Sequence, residues 1–141
     1  MYLDSTYIAK YYVNEPDAPA VRKAIRRASR VCSSSWALVE VTCIFDRHVR
    51  EGSLTVAQGR ELTDLFRRHA DDELWNLLPL TEALLRKTAL LIRGLAKGVP
   101  LRAGDAIHIA SALEVAEPEI WTNDRHLLSA APTFGIAGRS V

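Results

Sequence analysis

The chain has 141 residues, 48% of them hydrophobic and 25% charged, with 18 Lys+Arg set against 17 Asp+Glu for a formal net charge of +1. That length and apolar content suit one domain over residues 1–141 with a buried core, and they exclude a disordered chain. The near-neutral total hides a basic stretch from Arg22 to Arg30.

In chain order, a very short strand, Met1–Leu3, ends at Asp4, a residue type suited to cap the helix Ser5–Val13. Pro16 disfavours helix before it and separates this helix from a second, about Ala18–Arg30, with Val21, Ala24, Ile25 and Ala28 at helical spacing. A strand over Val31–Ser34 precedes a helix from Ser35 to Arg50. Glu51-Gly52-Ser53 turns the chain, and Thr55 with Gln58 reads as a capping box opening a helix to Asp71. A strand lies within Glu73–Leu80. Thr81 caps a helix running to about Lys97, ended by Gly98 and Pro100. Gly104 and Asp105 open a helix to Ala116, and Glu119–Thr122 forms a strand. Asp124 caps the short helix Arg125–Ala130, and Gly135–Gly138 reads as a last edge strand. Short strands alternating with helices predict an α/β fold with a mostly parallel sheet.

No apolar run approaches the ~18 residues of a membrane span. The start, Met1-Tyr2-Leu3-Asp4, lacks the basic region of a secretory signal, so a cytoplasmic location is expected. Cys32 and Cys43 form no CxxC pair and are expected to be reduced and buried. With four scattered histidines they do not make a zinc pattern.

Four acids recur in one context. Asp4 and Asp124 end strands, Asp105 sits in the first turn of a helix, and Glu40 interrupts the apolar segment Trp36-Ala37-Leu38-Val39-Glu40-Val41. In open parallel sheets, ligand sites form beyond the carboxyl ends of the strands. Acids converging there repel one another unless a hard divalent cation, Mg²⁺ or Mn²⁺, joins them. Each acid also has a plainer reading. Asp4 and Asp124 can be helix caps, Asp105 a partner of the helix dipole, and Glu40 a residue on a solvated helix edge.

The opening Tyr2-Leu3-Asp4-Ser5-Thr6, the Trp36–Val41 segment with Glu40, the run Leu101-Arg102-Ala103-Gly104-Asp105-Ala106-Ile107-His108-Ile109-Ala110, and Trp121-Thr122-Asn123-Asp124 occur in a telling order. In these segments the chain resembles the PIN-domain family, in particular the VapC-like ribonuclease toxins of bacterial and archaeal toxin–antitoxin pairs. The resemblance implies a three-layer α/β/α sandwich with about five strands. It also implies a Mg²⁺- or Mn²⁺-dependent endoribonuclease using Asp4, Glu40, Asp105 and Asp124, with Thr6 and Thr122 in support. Such a site cleaves RNA through metal-activated water. A cognate VapB-like antitoxin and a homodimer are implied as well, with Leu62, Leu65 and Phe66 as an apolar surface. Ser5 receives no role.

Other features point less far. Arg22, Arg26 and Arg30 share an i, i+4 face that suits a solvated surface or an RNA contact. His108, three residues after Asp105, reads as a hydrogen-bonded structural histidine. Trp36, Trp75 and Trp121 lack the spacing of a base-stacking ladder and are expected in packing. No P-loop, GxGxxG or GxSxG motif is present. The rival readings are a PIN-like module that binds RNA or protein without cutting, and another Mg²⁺-dependent α/β protein such as a phosphatase or receiver domain.

Overall fold

Strand and helix alternate along nearly the whole chain in the computed structural model, which describes residues 1–141. The strands are β1 (Tyr2–Leu3), β2 (Cys32–Ser34), β3 (Asn76–Leu78), β4 (Glu119–Trp121) and β5 (Ala137–Arg139). The helices are α1 (Ser5–Tyr12), α2 (Ala18–Arg27), α3 (Ala37–Arg50), α4 (Val56–Asp71), α5 (Glu82–Arg93), α6 (Ala103–Glu114) and α7 (Arg125–Ala130). A 3₁₀ turn over Ala131–Phe134, absent from the sequence expectation, links α7 to β5.

All strand pairings are parallel, in the order β3-β2-β1-β4-β5. The expected mostly parallel sheet of about five strands is therefore parallel throughout. Tyr2 pairs with both Cys32 and Ile120, and Leu3 with Trp121, which fixes β1 at the centre. Successive strand residues face opposite sides of a sheet. Leu3 accordingly joins a core with Tyr7, Ile8, Val21, Val41, Phe45 and Phe66 of α1–α4. Tyr2 joins a second core with Ile109, Ala112, Ile120 and Leu127 against α6 and α7. The result is helix layers on both faces of one sheet.

Local chemistry explains most helix ends. Thr55 and Gln58 form the expected capping box, and the Thr81 hydroxyl accepts from the Leu84 amide. Two helix ends need correction. The helix from Thr81 stops at Arg93 rather than Lys97, because the Gly94 amide closes on Leu90 O and the chain turns there. The second helix stops at Arg27, where Ala28 becomes extended to feed β2, so Arg30 leaves the Arg22–Arg26 face. Arg22 itself binds the carbonyls of Tyr11 and Val13 at the end of α1. Within the Leu62–Phe66 stripe, Phe66 is 1% exposed and Leu62 packs against the same core, while Leu65 is half-buried and belongs to neither core. Exposed large apolar side chains include Leu38, Val39, Val56, Leu74, Leu85, Leu90 and Ile92. No helix is long and apolar enough to cross a membrane. Both cysteines are free thiols. Cys32 is buried, but Cys43 is exposed, contrary to expectation, because it lies on the outer side of α3.

Candidate active site

From β1 the chain order runs outward through β2 to β3 on one side, and through β4 to β5 on the other. The direction reverses between β1 and β4. A parallel sheet opens a crevice at such a switch point, beyond the carboxyl ends of its strands. Asp4 directly follows β1, and Thr122-Asn123-Asp124 directly follows β4. A cavity of about 480 Å³ opens here, and Asp4, Glu40, Asp105 and Asp124 all line it. The fold therefore brings the four acids to one place from four elements.

The capping reading of Asp4 and Asp124 holds as well, and the two readings coexist because a carboxylate has two oxygens. Asp4 Oδ1 accepts from the Tyr7 amide at 2.9 Å to cap α1. Its Oδ2 accepts the Thr122 hydroxyl at 2.5 Å, and the Thr6 hydroxyl reaches both oxygens at 2.8 Å. Thr6 and Thr122 thus fix the Asp4 carboxylate. Asp124 caps α7 with Oδ1, which accepts from the His126 and Leu127 amides at 2.7 and 3.2 Å. Its Oδ2 is left with only Arg102 Nη1 at 3.8 Å.

Glu40 is held differently. Its Oε2 accepts the Ser5 hydroxyl at 2.6 Å and lies 2.9 Å from His108 Nε2. His108 is 2% exposed, and its Nδ1 is 3.0 Å from the Tyr2 hydroxyl. Burial pushes the Tyr2 phenol up, so it stays protonated and donates to Nδ1. Nε2 then carries the ring proton and donates to Glu40. Burial works to raise the Glu40 carboxyl, but the hydrogen bonds from His108 and Ser5 outweigh it and hold it below its ordinary value. Gly104 completes the cradle, since a Cβ there would stand 2.6 Å from Glu40 Oε1 and 3.2 Å from Trp36 Nε1.

Asp105 has no such support. Its Oδ2 is buried without a hydrogen-bond partner. Burial first, and then the negative charge of Asp124, raise its carboxyl above the ordinary range. Asp4 is also raised by burial, which its hydrogen bonds from Thr122, Tyr7 and Thr6 only partly offset. A buried, unpaired carboxylate oxygen beside a second carboxylate is costly unless a cation joins them. The all-oxygen donor set suits Mg²⁺ or Mn²⁺. No three of the acids stand as a ready-made ligand cluster.

Sequence reasoning missed Ser5, Gly104 and the partnership of His108 with Glu40. The only signal for His108 was its place three residues after Asp105. Nothing local marks Ser5, whose carboxylate partner is 35 positions away. Trp75 packs in the core as expected, whereas Trp36 lines the acidic cavity with its Nε1 buried and unpartnered.

Among known families, the profile described as PIN domain matches residues 1–132. No curated protein matches the chain.

Proposed function

The chain belongs to the PIN-domain family, whose fold is of nuclease type and implies a nucleic-acid substrate, and from that premise we propose a metal-dependent endoribonuclease. The observation that carries this reading is the buried, unpartnered Asp105 Oδ2 facing the charge of Asp124 at the switch point of the sheet. Asp4, Glu40, Asp105 and Asp124 are assigned as the metal-binding and catalytic set, with Thr6 and Thr122 in support. Bound Mg²⁺ or Mn²⁺ would neutralise phosphoryl charge and lower the pKa of a water molecule. Thr6, Thr122 and the Tyr7 amide keep the Asp4 carboxylate in one orientation. His108 and Ser5 do the same for Glu40 and favour its ionised form. A carboxylate oxygen of this set accepts the proton as water attacks the phosphorus of the RNA phosphodiester; the P–O bond to one ribose oxygen breaks, and that oxygen leaves as a hydroxyl after taking a proton from solvent.

The same proposal includes a toxin role, with a VapB-like antitoxin, a homodimer and a cytoplasmic setting, in a single domain over residues 1–141. Its support is the resemblance of Asp105–Ala110 and Thr122–Asp124 to VapC-like toxins. Purified protein, freed of any co-purifying partner, is to be incubated with a mixed RNA pool in Mg²⁺, Mn²⁺ or EDTA, beside Asp4→Asn and Asp105→Asn. The expected result is metal-dependent cleavage reduced about 10²- to 10³-fold or more by either substitution. Identical RNA patterns from parent and variants would remove the catalytic claim and favour a non-cutting RNA-binding module.

A further inference from the structure

The acidic cavity has to admit a polyanion, so the cations on its walls decide how a strand is held. Two arginines line it, Arg47 and Arg102. Arg47 stands two turns after Glu40 on α3, on the same side of the helix. Its neighbours are committed elsewhere: Asp46 pairs with Arg50 at 3.0 Å, and Glu15 with His48 at 3.3 Å and Lys10 at 3.5 Å. Arg47 itself has no ion-pair partner within the protein. Arg102, just before α6, has a side chain 72% exposed, and its one ion pair is with Asp124, at the long distance of 3.8 Å.

A second hollow of about 220 Å³ shares Thr6, Ile44, Arg47 and Asp124 with the acidic cavity. Its floor is internally satisfied. The Lys10 ammonium is bound to Asp17 at 2.6 Å. The Asn123 amide donates to Asp17, and its carbonyl accepts the Tyr7 and Ser140 hydroxyls at 2.8 and 2.7 Å. Arg47 is therefore the open cation where the two hollows meet.

Resting on the nuclease reading, we propose that Arg47 and Arg102 grip the backbone phosphates flanking the scissile one on a single-stranded RNA. Arg47 holds the strand where it passes into the second hollow, and Arg102 holds it at the α6 side. Both guanidiniums come from rigid or helix-adjacent backbone, and a planar fork suits phosphate oxygens. They are positioning residues for substrate and take no part in the bond change.

The test measures binding of a labelled single-stranded RNA oligonucleotide in Mg²⁺ across a salt series, using Asp105→Asn as the background to suppress cleavage. Arg47→Ala and Arg102→Ala are added singly, with Arg47→Lys, and with Arg86→Ala as a surface-charge control. Each alanine is expected to weaken binding roughly ten-fold and to lower the slope of log K against log salt by about 0.7. Arg47→Lys should restore the slope while recovering only part of the affinity. In the cleaving parent, the same alanines should raise KM roughly ten-fold and change kcat little. Arg86→Ala should match its background. Unchanged slopes and affinities for both alanines would overturn the grip, and so would a background that does not bind RNA. Slope losses in a protein that cuts nothing would keep the grip and remove the nuclease reading.

Discussion

Gly104 is where a single hydrogen atom decides the geometry of the groove. Any Cβ there meets Glu40 Oε1 at 2.6 Å, and Glu40 cannot swing freely, because Ser5 and His108 hold its other oxygen. Helix propensity favours Ala over Gly by up to about 1 kcal/mol, but the Cβ must push aside the held Glu40 carboxylate, so Gly104→Ala gains no stability from it. Cleavage by that variant is expected to fall by ten-fold or more while the protein remains folded. Parent-like cleavage would show that the position of Glu40 is not critical. The two thiols differ just as sharply. Cys43 lines the groove and is exposed, whereas Cys32 is buried and its thiol is pushed up to about 11 by burial, with Glu117 adding to the rise. Alkylation at pH 8 should modify one thiol quickly, identified as Cys43 by peptide mapping, and should slow RNA cleavage by obstructing the groove. Equal labelling of both cysteines would contradict this burial pattern. These details were not legible in the sequence. Glu40, Ser5 and His108 are far apart along the chain, and no local spacing announces that they meet.

At the scale of elements, the start of α2 is tied to α1 and to the segment after β4 through one carboxylate. Asp17 precedes α2 but makes no side-chain cap; it accepts instead from Lys10 at 2.6 Å and from the Asn123 amide. Partial burial works to raise the Asp17 carboxyl, but Lys10 and Asn123 outweigh it and hold it below its ordinary value. A carboxyl lowered in the folded state stabilises fully above its unfolded pKa of about 3.9, and that contribution is lost as pH falls through the lower folded value. Asp17→Asn leaves Lys10, only 7% exposed, without its nearest counter-charge, and should cost about 2 kcal/mol at neutral pH. Thermal unfolding of parent and variant should differ most near pH 7 and converge only as pH falls below the ordinary carboxylate range. A difference that does not depend on pH would contradict the assignment. Strands and helices themselves were legible, because alternation, capping residues and Pro16 are local signals. Their ends were less so: α2 and α5 close three and four residues early, where the chain must turn into the next packed element.

For the molecule as a whole, strand order does what no motif does alone. It places the end of β1 beside the end of β4 and opens a crevice between them, lined by acids from the β1–α1 junction, α3, α6 and the β4–α7 junction. The family was legible because four short segments keep their order along the chain, and the matched region covers residues 1–132. The arginines that line the groove were not, since Arg47 and Arg102 look like ordinary surface charges until the groove is in view. The basic run from Arg22 to Arg30 attracted attention for its density, yet Arg22 serves the end of α1 and Arg30 lies off the helix.

The most direct measurement is Mn²⁺ binding to the RNA-free protein, by titration calorimetry with electron paramagnetic resonance, for the parent and Asp105→Asn. If the unpartnered oxygen of Asp105 awaits a cation, the parent binds Mn²⁺ in the groove and its melting temperature rises with metal concentration. The variant, which keeps the fold and loses one negative charge, should then bind at least ten-fold more weakly. Equal Mn²⁺ affinity in the two proteins, or none in the parent, would contradict the assignment of this groove as a metal-dependent nuclease centre.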